Sequence, residues 1–336
     1  MDQTTGPLTA DLVLEGGGVK GIALVGAISV LEEAGYRFSR VAGTSAGAIV
    51  GSLVAAGYPS VELREIMASI DYRRFRDGDW LTRLGLPGKT LAIGVRQGMY
   101  HGEYLKQWLG AMLAGRQVRT FADLAIDDPG TSLPPDRRYR FVVMASDISD
   151  GQLRRLPWDY PLLGAEAAQR PVVDAVRKSM SIPFFYRPDK MKDAGGRQRW
   201  FVDGGMLSNF PIAVFDRTDG ATPRWPTFGI KLGVKPDAQL GFAHRITGTL
   251  TFGRSLIDTM TGFYDKIHID DPSAQARTMF VDTLNVKATD FDISRTTQDR
   301  LFANGRKAAE EFLAGWDWQA HLASRATAST APDPST

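Results

Sequence analysis

The sequence contains no cysteine and only four histidines among its 336 residues. Without cysteine the chain has no disulfide bond, no thiolate metal site and no cysteine nucleophile, although this absence says nothing about the cellular compartment. The formal net charge of +2 is too small to indicate nucleic-acid binding or strong electrostatic attraction to a membrane. These absences exclude cysteine chemistry and argue against a nucleic-acid partner.

Long apolar runs are missing as well. Residues 1–10 are polar and lack the basic and apolar regions of a secretory signal, and the longest apolar run is interrupted by Gly21, Gly26 and Gly35. We therefore expect a cytoplasmic protein, and transient contact with a membrane surface or export without a cleavable signal would fit the same pattern. The composition shows no internal break, so we predict one domain over residues 10–318, with a flexible N-terminus (1–9) and a disordered C-terminal tail (319–336).

A glycine-rich loop follows the first apolar segment. Leu12–Leu14 predicts a strand, and helical periodicity runs from Ile22 to Gly35. The residues between them are Glu15, Gly16, Gly17, Gly18, Val19, Lys20 and Gly21. Consecutive glycines leave backbone N–H groups free to bind an anion at the helix N-terminus. A dinucleotide fingerprint would need an acidic residue about 20 residues further on, and no acid ends the second predicted strand, Arg37–Ala42.

A candidate nucleophile ends that second strand. Ser45 lies between Gly43 and Gly47, and an apolar helix is predicted over Ala48–Ala56. A G-x-S-x-G sequence between a strand and a helix is typical of a nucleophile elbow, in which a sharp turn exposes the serine hydroxyl above the helix N-terminus. The alternative is a small-residue loop that packs beneath a helix. The neighbouring glycine loop, with its amide donors, favours catalysis.

The base that would activate this serine is less obvious. None of the histidines, His101, His244, His268 and His321, lies in a strand-end loop with small flanking residues. Asp203 is a better candidate, because it directly follows a predicted apolar strand, Trp200–Val202, and precedes Gly204 and Gly205. Those glycines would let another loop approach the carboxylate closely. Asp147, at the end of another apolar strand, is a rival that lacks the glycine pair.

Together these motifs resemble the patatin-like phospholipases, acyl hydrolases that use a Ser-Asp dyad without histidine. The resemblance covers about residues 10–316 and extends to Ser179-x-Ser181-x-Pro183 and to Asp290–Ser294 near the C-terminus. One departure is Glu15, where aspartate is common in the family; we interpret it as tolerated because the loop donates through its backbone. The resemblance implies that Ser45 is the nucleophile and Asp203 the base. It implies an oxyanion hole from Gly16, Gly17, Gly18 and Val19, supported by Lys20, Gly21, Gly43, Gly47, Gly204 and Gly205.

The resemblance also implies an acyl-ester substrate. Phospholipid or lysophospholipid is the leading candidate, and neutral lipid or a thioester is an open alternative. The resemblance implies no metal and no cofactor. No calcium-binding loop of the D-x-[DN]-x-[DN]-G type occurs in the sequence. Two other functions stay open: an α/β-hydrolase with a Ser-His-Asp triad, and a catalytically silent lipid-binding or interaction module. The sequence gives no indication of the oligomeric state.

The fold expected from the alternation of strands and helices is α/β, with a largely parallel central sheet covered by helices on both faces. Periodicity predicts further helices over 61–70, 103–113, 165–181 and 296–316, and strands over 139–145, 152–156, 227–232 and 278–281. Residues 72–100 lack a clean period, and both a lid and a surface excursion fit this segment.

Overall fold

A mixed sheet lies at the centre of the chain. The computed structural model describes residues 8–78, 97–128, 130–131, 133–233, 271–284 and 286–329. The strands within these residues are β1 (Leu8–Leu14), β2 (Tyr36–Gly43), β3 (Gly98–Tyr100), β4 (Phe141–Asp147), β5 (Gln152–Leu156), β6 (Phe184–Tyr186), β7 (Asp189–Lys192), β8 (Gln198–Asp203), β9 (Thr227–Lys231) and β10 (Thr278–Phe280).

The strand order in this sheet is β10-β9-β1-β2-β4-β8-β7, with β5 also paired to β4. The five strands from β10 to β4 are mutually parallel, whereas β5, β7 and β8 pair antiparallel with their neighbours. The short strands β3 and β6 form a separate parallel pair. This mixed but mostly parallel sheet, flanked by helices, confirms the predicted fold class.

The register of β1 and β2 places the two loops of interest side by side. Leu14 pairs with Gly43, so both strands end at the same level of the sheet. All seven residues of β4 are buried, and Val143 of β4 pairs with Gly43 in turn. Continuous burial of this kind is expected for a strand in the middle of a sheet covered by helices. The glycine loop and the serine loop therefore leave one edge of the sheet as neighbours.

The α-helices of the described residues are α1 (Gly21–Glu33), α2 (Ala46–Ala55), α3 (Ser60–Ser69), α4 (Glu103–Gly115), α5 (Val172–Ser179), α6 (Pro272–Ala276), α7 (Arg295–Ala314) and α8 (Trp318–Ser329). α1 is buried almost throughout and packs against α7. The predicted strands and helices are confirmed to within a few residues, apart from the differences below. Within the described chain, no helix has both the length and the apolar character needed to cross a bilayer.

The helix predicted over 165–181 is shorter than expected. α5 begins only at Val172, because Pro171 at its N-cap has extended backbone and pairs with Thr120 in an antiparallel bridge. The preceding residues also pair with this segment, since Phe121 N donates to Arg170 O at 3.1 Å. Apolar spacing alone did not reveal this pairing.

The predicted flexible N-terminus and the predicted disordered C-terminal tail are both shorter than expected. Leu8 and Thr9, assigned to a flexible N-terminus, pair with Tyr36 and Arg37 as the first residues of β1. α8 occupies much of the predicted disordered tail, because Asp317 caps the helix through Ala320 N at 2.9 Å and His321 is buried against the rings of two tryptophans. Residues 79–96 of the candidate lid, together with His244 and His268, lie outside the described residues.

Candidate active site

Ser45 occupies a strained turn between β2 and α2. Its backbone has φ +53° and ψ −120°, and its side chain is buried. Positive φ is unfavourable for a residue with a Cβ and is typical of a nucleophile elbow. The flanking glycines permit the turn: a Cβ at Gly43 would lie 2.3 Å from Gly47 O, and one at Gly47 would lie 2.3 Å from Leu14 O. The elbow thus packs directly on the end of β1.

Asp203 reaches this serine from the antiparallel strand β8. Asp203 pairs with Ala145 of β4, two residues beyond the Val143–Gly43 pair, so the end of β8 stops at the level of the elbow. The side chain of Ser45 lies close enough to Asp203 to lower the pKa of its carboxyl group. The strand ends that meet here are therefore not all carboxyl ends of parallel strands.

The environment of Asp203 favours its protonated form. Burial away from water raises the pKa of Asp203 from 3.8 to about 6, although the hydrogen bond from Gly205 N and the nearby Ser45 side chain act in the opposite direction. Gly205 N donates to Oδ1 at 2.8 Å. The carbonyl of Gly204 accepts from Ser208 N at 2.9 Å and from Ser146 Oγ at 3.3 Å, which holds the turn after the strand. A carboxylate with this pKa is a stronger base than an exposed aspartate.

The glycine loop offers fewer free donors than predicted. Gly16 N donates to Asn209 O at 3.2 Å, and Val19 N donates to Ala288 O at 3.1 Å. Within the described residues, the amides of Gly17 and Gly18 have no acceptor, so these two remain as candidate oxyanion donors. Gly18 has φ +56°, and a Cβ there would lie 1.9 Å from Ala288 O. Two of the four predicted oxyanion donors, Gly16 N and Val19 N, are thus bonded to backbone carbonyls that hold the loop.

A charged residue lies at each end of this loop. Glu15 is buried, its carboxylate accepts from Lys231 Nζ and Leu232 N, and it thereby ties the start of the loop to the end of β9. Lys20 closes the short 3-10 turn before Gly21, the first residue of α1. Burial lowers the pKa of Lys20, while the nearby Glu15 carboxylate acts in the opposite direction. Glutamate at position 15 therefore has a structural role that does not depend on the oxyanion donors.

Several site residues were not assigned roles from the sequence. Ser179 Oγ accepts from Ser45 N at 2.9 Å, and Met180 Sδ lies 3.6 Å from Ser45 Oγ. Ser181 O accepts from Asp203 N at 2.9 Å, and Asn209 Nδ2 donates to Gly16 O at 3.2 Å. The Ser179-x-Ser181 pattern was visible in the sequence, but its contacts join segments more than 20 residues apart.

The carboxylate of the rival base Asp147 is bound by arginine side chains. Its carboxylate is fully buried and accepts from Arg199 Nη2 at 2.5 Å and from Arg199 Nε at 3.1 Å, with Arg154 as a second cation. This carboxylate is therefore engaged in ion pairs with two arginines.

The described histidines do not contact the serine either. His101 Nδ1 lies 3.1 Å from Arg187 Nη1, and His321 packs between Trp316 and Trp318. Asp203 is therefore the base candidate that the described residues bring to Ser45.

An apolar cavity opens beside the nucleophile. It measures about 20 Å³, and its walls include Gly18 and Val19 of the glycine loop, Ala46 of the elbow and Met180. Further aromatic walls come from Tyr72, Phe75, Tyr186 and Phe291. Met180 lines this cavity and also contacts Ser45 Oγ, so the cavity lies next to the nucleophile elbow.

Comparison with known proteins gives four findings. A sequence model of the Patatin-like phospholipase family matches residues 12–216, which include all three motifs. The chain is 35% identical over 315 residues to the uncharacterised protein YqhO of Bacillus subtilis, covering 92% of this chain and 99% of that protein. A 44-residue stretch is 59% identical to the lysophospholipase nte1 of Emericella nidulans, which is 13% of this chain and 3% of that protein. The crystal structure of VipD from Legionella pneumophila has a similar fold, with a TM-score of 0.51 and 16% identity over 92% of this chain and 67% of that chain.

Proposed function

The chain belongs to the patatin-like phospholipase family, and from this premise we propose that it hydrolyses fatty-acyl esters of phospholipids or lysophospholipids through a Ser45–Asp203 dyad. Family membership makes it a lipid ester hydrolase. The observation that carries the finer proposal is the placement of two buried side chains, with Ser45 in the strained turn after β2 and Asp203 at the end of β8, close enough for Ser45 to lower the pKa of Asp203. A nucleophile is activated by a base within hydrogen-bond reach.

In the acylation step, Ser45 Oγ attacks the ester carbonyl while Asp203 accepts the hydroxyl proton. Negative charge then develops on the carbonyl oxygen. The amides of Gly17 and Gly18 are the groups that would stabilise it, and the N-terminus of α2 adds its dipole. Asp203 returns the proton to the departing alcohol or lysolipid, which leaves an acyl group on Ser45.

In the deacylation step, a water molecule attacks the acyl-enzyme and Asp203 again accepts a proton. The bond between the acyl carbon and Ser45 Oγ then breaks, Asp203 gives its proton to that oxygen, and the fatty acid leaves with the Ser45 hydroxyl restored. Because the same carboxylate acts first as base and then as acid in each step, a pKa near the working pH suits it better than the ordinary aspartate value. The raised pKa of Asp203 therefore supports both steps.

The substrate class rests on two observations. The cavity beside Ser45 is lined mainly by apolar and aromatic groups, which suits an acyl chain. The fungal relative that shares a 44-residue stretch bears the name lysophospholipase. Transient contact with a membrane surface, from which such a substrate would be taken, is part of this proposal.

The proposal is tested by hydrolysis of a phospholipid and of the corresponding lysophospholipid in mixed micelles, with identification of the released acyl chain and lysolipid. Ser45→Ala and Asp203→Asn should each lose nearly all activity. Ser52→Ala is a matched control, because Ser52 is also buried in the helix of the elbow and its hydroxyl serves only Ile49 O. Equal activity of all four proteins would refute the dyad.

Replacement of each histidine separates the dyad from a triad. Loss of a triad histidine lowers kcat by about 10⁶, whereas the dyad requires that all four histidine variants keep substantial activity. If Ser45-dependent hydrolysis is absent altogether, the chain is a silent member of the family that binds lipid or a partner.

A further inference from the structure

The segment at the end of α5 contacts both members of the proposed dyad. Ser179 Oγ accepts from Ser45 N at 2.9 Å, and Met180 Sδ lies 3.6 Å from Ser45 Oγ. On the next residue, Ser181 O accepts from Asp203 N at 2.9 Å. This segment therefore connects the nucleophile to the base, and a shift of the segment would move one of them relative to the other.

Arg177, in the last turn of α5, binds the Ser181 side chain. The arginine is 6% exposed, and its Nη1 donates to Ser181 Oγ at 2.6 Å. Its Nη2 donates to two backbone carbonyls, His101 O at 2.5 Å and Arg187 O at 3.0 Å. His101 follows β3 and Arg187 follows β6, the two strands of the separate parallel pair. One guanidinium group thus joins the segment that contacts the dyad to a second, smaller sheet.

The guanidinium group of Arg177 is buried among neutral acceptors. Within the described chain, the groups that its nitrogens bind are one hydroxyl and two carbonyls, none of them a carboxylate. Burial lowers the pKa of Arg177, while the more distant carboxylate of Asp189 acts in the opposite direction. A buried cation without a paired anion is costly, and an apolar side chain is often the more stable choice at such a position. The position therefore supplies hydrogen-bond donors, at a cost to stability.

We propose that Arg177 is a positioning residue for the dyad, which acts through Ser181 to fix Asp203 relative to Ser45. The inference rests on the proposed function, since it concerns the same site. A guanidinium group presents its donors in a rigid planar fork, so it fixes the Ser181 hydroxyl relative to the two carbonyls. Ser181 O in turn binds Asp203 N. Misplacement of a reacting group by 1 Å can cost about 10²-fold in rate.

The competing explanation is that Arg177 only stabilises the fold. Loss of its side chain would then reduce the amount of folded enzyme, but each folded molecule would turn over at the wild-type rate. The two explanations differ in the kcat of each intact site. If Arg177 positions the dyad, kcat per site falls when its donors are removed, and lysine, which keeps a charged donor on a flexible stem, restores only part of it.

The test measures kcat per active site for the wild type, Arg177→Met and Arg177→Lys, with a p-nitrophenyl ester as substrate. An alkyl fluorophosphonate, allowed to react to completion, counts the competent sites in each preparation. For Arg177→Met we expect kcat per site to fall about 10²-fold, with a smaller change in KM. Arg177→Lys should give an intermediate value.

Arg277→Met is the matched control. Arg277 is 3% exposed and its two Nη atoms each donate to Asp216 at 2.6 Å, so it is also a buried arginine with several hydrogen bonds. It directly precedes β10, which is parallel to its neighbour, and therefore lies at the opposite end of the parallel strands from Ser45. We expect Arg277→Met to keep the wild-type kcat per site.

Ser181→Ala decides the question if Arg177→Met does not fold. It removes the hydroxyl that Arg177 binds and leaves Ser181 O to accept from Asp203 N. We expect its kcat per site to fall about tenfold, the effect of losing one hydrogen bond to a charged group. A wild-type kcat per site in Arg177→Met, or in both Arg177→Lys and Ser181→Ala, would overturn the inference and leave the proposed function intact. If the wild type shows no Ser45-dependent hydrolysis, the proposed function fails and the inference fails with it.

Discussion

Ser179 Oγ accepts a hydrogen bond from Ser45 N at 2.9 Å, so the end of α5 holds the nucleophile elbow in place. The elbow residue has positive φ, and this contact gives its buried amide an acceptor. A strained backbone of this kind persists only where its surroundings fix it. The site therefore depends on α5 as well as on the three sequence motifs.

Ser179→Ala should lower kcat/KM about tenfold, the effect of losing one buried hydrogen bond. The expected cause is a displaced Ser45 hydroxyl, so kcat should fall more than KM rises. Steady-state kinetics on a p-nitrophenyl ester measure this split. Ser52→Ala, which alters a serine bonded only within its own helix, should leave both constants near the wild-type values. An unchanged kcat in Ser179→Ala would show that the elbow holds without this contact.

The pH dependence of the rate follows from the pKa of Asp203. Because burial raises that pKa to about 6, the base is ionised above this pH and protonated below it. We expect kcat/KM to rise with pH and to reach a plateau above about pH 7, with the midpoint near pH 6. An ordinary aspartate would place the midpoint near pH 4. A profile flat down to pH 4.5 would contradict the buried base.

The same carboxyl group should affect stability. Its pKa is raised in the folded protein, so the folded state binds this proton more tightly than the unfolded state does between about pH 4 and 6. This contribution to stability is present below pH 4 and is lost as the pH rises through 6. Asp203→Asn removes the buried charge and should increase the free energy of unfolding at pH 8 by about 1–3 kcal/mol. Urea unfolding at pH 8 measures the gain, which should shrink at pH 4.5.

Gly18→Ala should lower kcat by about 10²–10³, the loss expected when an oxyanion donor is displaced. A Cβ at Gly18 would meet Ala288 O at 1.9 Å, so the loop must move. Gly57→Ala is the control, because Gly57 has φ +90° but nothing lies within 4 Å of the added Cβ. That variant should lose about 1 kcal/mol of stability and keep its kcat. Equal kcat in the two variants would argue against the glycine loop as the oxyanion hole.

Much of the site could be predicted from the sequence because its parts are local. The glycine loop and the elbow each consist of consecutive residues between a strand and a helix, and the parallel pairing of Leu14 with Gly43 brings them together. Asp203 was found from its position at a strand end before two glycines. The antiparallel direction of its strand does not follow from that pattern.

Contacts between distant segments could not be predicted. Ala288 accepts from Val19 N and Asn209 from Gly16 N, which removes two predicted oxyanion donors. Both acceptors are backbone carbonyls, which any residue type could supply, so no sequence signal marks them. Composition predicts disorder over the C-terminal tail, but the cap at Asp317 and the burial of His321 order its first part as a helix.

The central claim is that Ser45 is a nucleophile activated by Asp203. The most direct measurement is the rate at which an alkyl fluorophosphonate labels the protein, with the modified residue located by peptide mass spectrometry. The account predicts a single adduct on Ser45, no labelling of Ser45→Ala, and labelling of Asp203→Asn that is slower by about 10³ or more, as expected when a nucleophile loses its base. Labelling of Asp203→Asn at the wild-type rate, or an adduct on another residue, would contradict it.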